Sequence, residues 1–170
     1  MTVRAFSFMG DQKKVIRIRK AQQSDAVALY RLLEEAYSDR GVDYSPIDEN
    51  RLMCWITTTI ADGEVWVADR SGRVIGSIAL IDFQFPWSAN WVLINSWLYV
   101  LRNFRARGTG KKLMEAVFAS ADDKGGAPLV IGTHSGRDTD WKDEFIGGFG
   151  GVTYCGGTFF RPPYGQSNHE

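Results

Sequence analysis

The stretch Arg105-Ala106-Arg107-Gly108-Thr109-Gly110 has the residue types and spacing in this sequence that point most directly to chemistry. It lies between an apolar run, 91–101, that reads as a strand and a helical pattern carrying Leu113, Met114, Val117, Phe118 and Ala121. A glycine-rich turn from strand into helix aims unpaired backbone N–H groups at one point, on the positive end of the helix dipole. That is a physical site for phosphate or pyrophosphate. Arg105, Arg107, Lys111 and Lys112 crowd the same end, where cations oppose the dipole, so an anion bound there relieves the conflict. Other glycine motifs fit poorly. A Walker A loop needs Ser or Thr after Gly-Lys and glycine five residues before that glycine, but Lys112 and Arg105 occupy those places. A dinucleotide fingerprint needs glycine where Leu113 stands.

The elements that must hold this turn can be followed along the chain. Residues 16–19 alternate as a strand, and Ser24 or Asp25 caps a helix with Ala26, Leu29, Tyr30, Leu33 and Tyr37 at helical spacing. Ser45-Pro46 predicts the start of a second helix, since proline loses nothing at the first helical position. Strands follow at 64–69, 74–85 and 91–101, the first two joined by a Ser71-Gly72 turn. After the central helix come a short strand at 128–133, a brief helix at 140–146, and a closing hairpin of 152–155 with 158–161. Strand, helix and strand in succession imply a crossover unit. The fold class is therefore α/β (α+β), with a mixed, mostly antiparallel sheet of six to seven strands. Residues 1–14 read as an N-terminal arm, 15–161 as one domain and 162–170 as a C-terminal tail.

With these elements in place, residues 97–114 resemble motif A of the GNAT (Gcn5-related) N-acetyltransferases. Val100 ends the apolar strand, Phe104 precedes Arg105-x-x-Gly108-x-Gly110, and Lys111-Lys112 opens the helix. The element order from about 15 to 161 agrees. The resemblance implies that the turn backbone at Arg105, Ala106, Arg107, Gly108, Thr109 and Gly110, with Lys111 beside it, binds the pyrophosphate of acetyl-CoA. It also implies that Leu98, Tyr99 and Val100 pair with the pantetheine amides, and that a backbone N–H nearby meets the acetyl carbonyl as an oxyanion hole does. One departure is Arg102, where the family often has proline.

Acid–base groups match less well. An alkylamine with a pKa of ~10.4 is almost wholly protonated at pH 7, so an acceptor amine needs a base, a water path or desolvation. Many family members carry a glutamate in the strand before the valine, but here the stretch reads Ile94-Asn95-Ser96-Trp97. The helical tyrosine that many use to protonate the thiolate is also missing from 138–149. The substitutes are His134 as base and Tyr154 as proton donor, and the alternative for each is a structural residue. Asp82 is a further candidate on the acceptor side of its strand. Phe83, Phe85 and Trp87 alternate and share one face if the strand extends that far. They read either as an aromatic acceptor pocket or as sheet core with a homodimer surface.

Composition narrows the field. Lys+Arg 20 balances Asp+Glu 20 over 170 residues, which gives no basic field for nucleic acid. Cys54 and Cys155 form no CxxC pair, and no metal motif occurs. With no signal-peptide pattern and no apolar run of membrane length, a cytoplasmic chain without a membrane partner is expected. The expected activity is acetyl transfer from acetyl-CoA, as cosubstrate and with no metal, to an amine of a small molecule or protein. A non-catalytic acyl-CoA-binding module is the alternative.

Overall fold

The structure is a computed structural model that describes residues 15–41, 45–133, 135, 137 and 139–155. The expected arm 1–14 and tail 162–170 lie outside the described residues. The elements, in chain order, are β1 Ile16–Lys20, α1 Ala26–Ser38, α2 Glu49–Asp62, β2 Glu64–Arg70, β3 Arg73–Gln84, β4 Trp91–Val100, α3 Thr109–Asp123, β5 Leu129–Val130 and α4 Thr139–Gly147.

Two boundaries differ from expectation for local reasons. α2 begins at Glu49, not beside Pro46, because the Asp48 side chain accepts from the Arg51 N–H at 2.9 Å and caps the helix there. β5 keeps only two paired residues of the run 128–133. The described residues hold five strands. Of the expected closing hairpin, 152–155 is irregular and 158–161 lies outside them.

The sheet runs in the order β1-β2-β3-β4-β5, antiparallel throughout except for the parallel β4–β5 pair. Each face supports its own core. Ala68, Ile75, Ile78, Leu80, Leu93 and Val100 meet Leu113, Met114, Val117 and Ala121 of α3 on one face. Val65, Val67, Val74, Ala79 and Trp97 meet Leu29, Leu32 and Ile56 of α1 and α2 on the other. Full burial of a side chain such as Leu113 or Ile78 contributes ~1.5–3 kcal/mol, so these faces hold the layers together.

β4 changes face part-way along. Ala79 pairs with Trp97 but Leu80 pairs with Asn95, which leaves Ser96 as an extra residue. Strict alternation from Leu93 would put Trp97 on the α3 side; the bulge turns it to the α1–α2 side and returns Leu98 to α3. At the end of β4, Gly76 of β3 permits a close approach. A Cβ there would lie 3.0 Å from Val100 Cγ2 and 3.1 Å from the Tyr99 carbonyl oxygen.

Candidate active site

β4 passes into α3 through a short 3-10 turn at Arg102–Phe104 and then two left-handed residues, Ala106 at φ 58° and Gly108 at φ 74°. Glycine adopts that region freely, but a residue with a Cβ loses ~1–2 kcal/mol there. Ala106 is thus strained at the centre of the turn. Gly108 caps α3, and the first helical bond runs from the Lys112 N–H to the Gly108 carbonyl at 3.1 Å. The N–H groups of Thr109, Gly110 and Lys111 precede that bond and have no intrahelical acceptor. Thr109 itself is buried, and its hydroxyl donates to the Phe104 carbonyl at 3.3 Å.

The turn is braced from a distance by Asp39, just past the end of α1. Arg105 donates to Asp39 at 2.6 Å and to the Val100 carbonyl at 3.0 Å, with its guanidinium 5.0 Å from the centre of the Tyr99 ring. Arg102 reaches the same carboxylate. The Tyr99 hydroxyl lies 3.1 Å from both Glu35 and Asp39. Burial, then the Glu35 charge, pushes the Tyr99 phenol up to about 12, so it stays a proton donor near neutral pH. Beside the turn, Phe104 has the guanidiniums of Arg70, Arg73 and Arg107 at 5.3, 5.8 and 5.8 Å from its ring centre. Sequence reading missed Asp39, Arg70 and Arg73. They come from α1 and the β2–β3 turn, remote from the motif; the basic flanks of Ser71-Gly72 were the only signal.

Next to this turn the sheet opens. β4 and β5 pair only at Leu93–Leu129 and Ile94–Val130. One residue further, the buried Asn95 side chain takes the place of a strand neighbour. Its Oδ1 accepts from the Gly132 N–H at 2.7 Å and its Nδ2 donates to the Gly132 carbonyl at 3.2 Å. Leu101 donates to Ile75 of β3, so ladder alternation turns the N–H and C=O groups of Leu98 and Val100 to the β5 edge. Arg105 already takes the Val100 carbonyl. The Tyr99 backbone faces β3 by the same alternation, so only its side chain contributes to this region. α4 flanks α3, with Phe145 3.4 Å from the position a Cβ on Gly110 would occupy. Above the opening, the Gly41 N–H donates to the Ser135 carbonyl at 2.8 Å and joins the end of α1 to the loop before α4.

The acid–base candidates are scattered. His134 lies outside the described residues. Tyr154 is 70% exposed in irregular backbone after α4. Asp82 shares the α3 face with Leu80 and lines a cavity of 140 Å³ with Lys20, Glu64 and Lys124. The aromatic run is divided as well. Trp97 is buried with its Nε1–H donating to Ser77 at 3.1 Å, whereas Phe83, Phe85 and Trp87 form a row at the hairpin end. Among the described residues no group of three His, Cys, Asp or Glu is placed to hold a metal ion, and no helix is long and apolar enough to cross a membrane.

This geometry coincides with a family match. An acetyltransferase (GNAT) domain model matches residues 61–145, half of the 170. The chain belongs to the GNAT acetyltransferase family. Solved structures of GNAT proteins share its fold at low identity. A predicted acetyltransferase from Clostridium acetobutylicum, solved with acetyl-CoA, has a TM-score of 0.66 at 14% identity over 84% of this chain and 96% of that one. A ribosomal-protein-alanine N-acetyltransferase from Brucella melitensis biovar Abortus 2308 has a TM-score of 0.64 at 16% identity, covering 86% and 98%. An aminoglycoside acetyltransferase from an uncultured soil metagenomic sample, in complex with sisomicin, has a TM-score of 0.62 at 17% identity, covering 86% and 95%. No curated protein matches the chain in sequence.

Proposed function

We propose that this GNAT domain transfers the acetyl group of acetyl-CoA to a primary amine of a small molecule or protein by direct attack. The observation that carries the reading is the opening of the sheet beyond Ile94–Val130 together with a left-handed glycine turn at the start of α3 whose first N–H groups have no intrahelical acceptor. In it, the open N–H groups of Thr109, Gly110 and Lys111 hold the pyrophosphate, with Arg105, Ala106, Arg107 and Gly108 shaping the turn. The Leu98 and Val100 edge pairs with the pantetheine amides, and the bulge at Ser96 offers a backbone donor for the thioester carbonyl. The neutral amine nitrogen forms the new C–N bond, the C–S bond breaks, and the sulfur leaves with the electron pair. The proton lost from nitrogen balances the free thiol of CoA. Positioning supplies most of the acceleration in this scheme; His134 is the sequence candidate for the base and Tyr154 for the acid.

A second reading, a non-catalytic acyl-CoA-binding module, draws support from Asn95. It occupies the stretch where many relatives carry a glutamate, and both ends of its amide are committed to Gly132. Calorimetric titration with acetyl-CoA, followed by free-thiol release with a panel of amines, separates the readings. Binding with amine-dependent release is expected for the enzyme. Binding without release from any amine favours the module, and no binding at tens of micromolar overturns both.

A further inference from the structure

Among the described residues, α1 and α2 cover the sheet face on their side as far as Ala79 and Trp97. Beyond that level, Ile81 pairs with Ile94 and Phe83 with Val92, and all four point to this same face. None of the four belongs to either core. The row continues past the strand: Phe83 meets Phe85 edge-on at 5.0 Å, and Phe85 stacks on Trp87 at 5.0 Å. Phe83 and Trp87 are 37% and 80% exposed. No ionisable side chain projects from these strand positions, since Asp82 takes the other face.

This apolar face starts at the bulge. Ser96 leads into Ile94, and the Ser96 hydroxyl accepts from the indole N–H of Trp55 on α2 at 3.0 Å. Trp55 is 45% exposed, so α2 fixes an open indole beside the strand residue where the thioester would lie. From Ser96 to the Val92–Phe83 pair is four strand residues, roughly 13 Å at ~3.4 Å each. With its amine at the bulge, a ring on a two-carbon arm, about 7 Å long, lies over Ile94 with its far edge toward Phe83. An apolar lining also disfavours the ammonium form and raises the share of reactive neutral amine.

We infer that the acceptor is a primary amine on a short aromatic arm, seated on the Trp55–Ile94–Phe83 face with its nitrogen toward Ser96. This rests on the acetyl-transfer reading and names its substrate class. The test uses 2-phenylethylamine, ethylamine and spermidine as probes with the full chain. Acetyl-CoA affinity by calorimetry checks the cofactor reading separately. Amine binding is followed by tryptophan fluorescence of the CoA-loaded protein, and turnover by thiol release.

The expected result is binding of 2-phenylethylamine, with kcat/KM about tenfold or more above ethylamine and above spermidine. Trp55→Ala and Phe83→Ser should each abolish most of that preference and leave acetyl-CoA affinity unchanged. Trp55→Phe, which keeps a ring but loses the bond to Ser96, should fall between. Both side chains lie outside the fully buried core, and an unchanged melting temperature for each variant separates recognition from folding. If 2-phenylethylamine neither binds nor reacts, the inference is overturned even where another amine turns over. It is equally overturned if sedimentation shows a dimer that Phe83→Ser dissociates while amine preference stays intact, because a second copy then covers the face.

Discussion

Asp39 and Glu64 are two carboxylates with the same side-chain exposure, 11%, and each is gripped by two cations and a hydroxyl. Asp39 holds Arg102, Arg105 and the Tyr99 hydroxyl at the turn that leads into α3. Glu64 holds Lys124 at 3.0 Å, Lys20 at 3.8 Å and the Ser120 hydroxyl near the other end of that helix. What differs is how their partners are otherwise fixed. Lys124 and Lys20 extend from α3 and β1, which the core already anchors. Arg102 and Arg105 belong to the short connection between β4 and α3, outside both long elements, so Asp39 sets a shape while Glu64 reinforces one. Identical local chemistry thus serves function at one place and stability at the other.

Three measurements bear on this contrast. Asp39→Ala should have the largest effect on binding: a charge-assisted bond is worth ~1.5–3 kcal/mol, so acetyl-CoA affinity should fall about 10- to 100-fold by calorimetry. The melting temperature should change little, because both arginines then reach water. An unchanged affinity would remove the distinction.

Glu64→Gln should do the reverse, with affinity kept and about 1 kcal/mol of stability lost in urea unfolding. Its pH dependence has a definite sign. Burial pulls the Glu64 carboxyl up, but Ser120, Lys124 and Lys20 outweigh it and hold the folded value below the ordinary 4.5. The carboxylate therefore contributes stability above pH 4.5 that is lost as pH falls through the lower folded value, and the Gln variant lacks that part of the acid limb. Asp25, held low by its hydrogen bonds from Arg19, keeps a residual slope in both proteins. A variant with the full wild-type acid limb would show that Glu64 is not the source.

The smallest effect is expected for Arg73→Ala beside Phe104. Acetyl-CoA affinity should fall about threefold at low salt, and the difference should close near 0.5 M as screening removes an exposed charge. A salt-independent loss would mean that Arg73 shapes the turn as Asp39 does.

Much of this is legible in the sequence alone. The glycine turn, its flanking strand and helix, and the order of elements follow from local patterns of the chain. Asp82 shows where such patterns stop. Alternation along β3 does not say which of its faces a helix covers, and only the pairing with Leu93 fixes that Asp82 faces α3. The bulge at Ser96 is equally silent in sequence, since an extra residue in a strand is defined by what lies opposite it.

By itself the sequence determined the periodic elements and the turn, because helix spacing, strand alternation and left-handed glycine are properties of neighbouring residues. It also determined the family through Arg105-x-x-Gly108-x-Gly110 in that setting. Tertiary structure alone decided that Asp39 braces the turn, that Asn95 spans the parting strands, and that Trp55 meets Ser96. Those contacts join residues about 37 to 66 positions apart. No local pattern encodes them, and they exist only once both faces of the sheet have been packed.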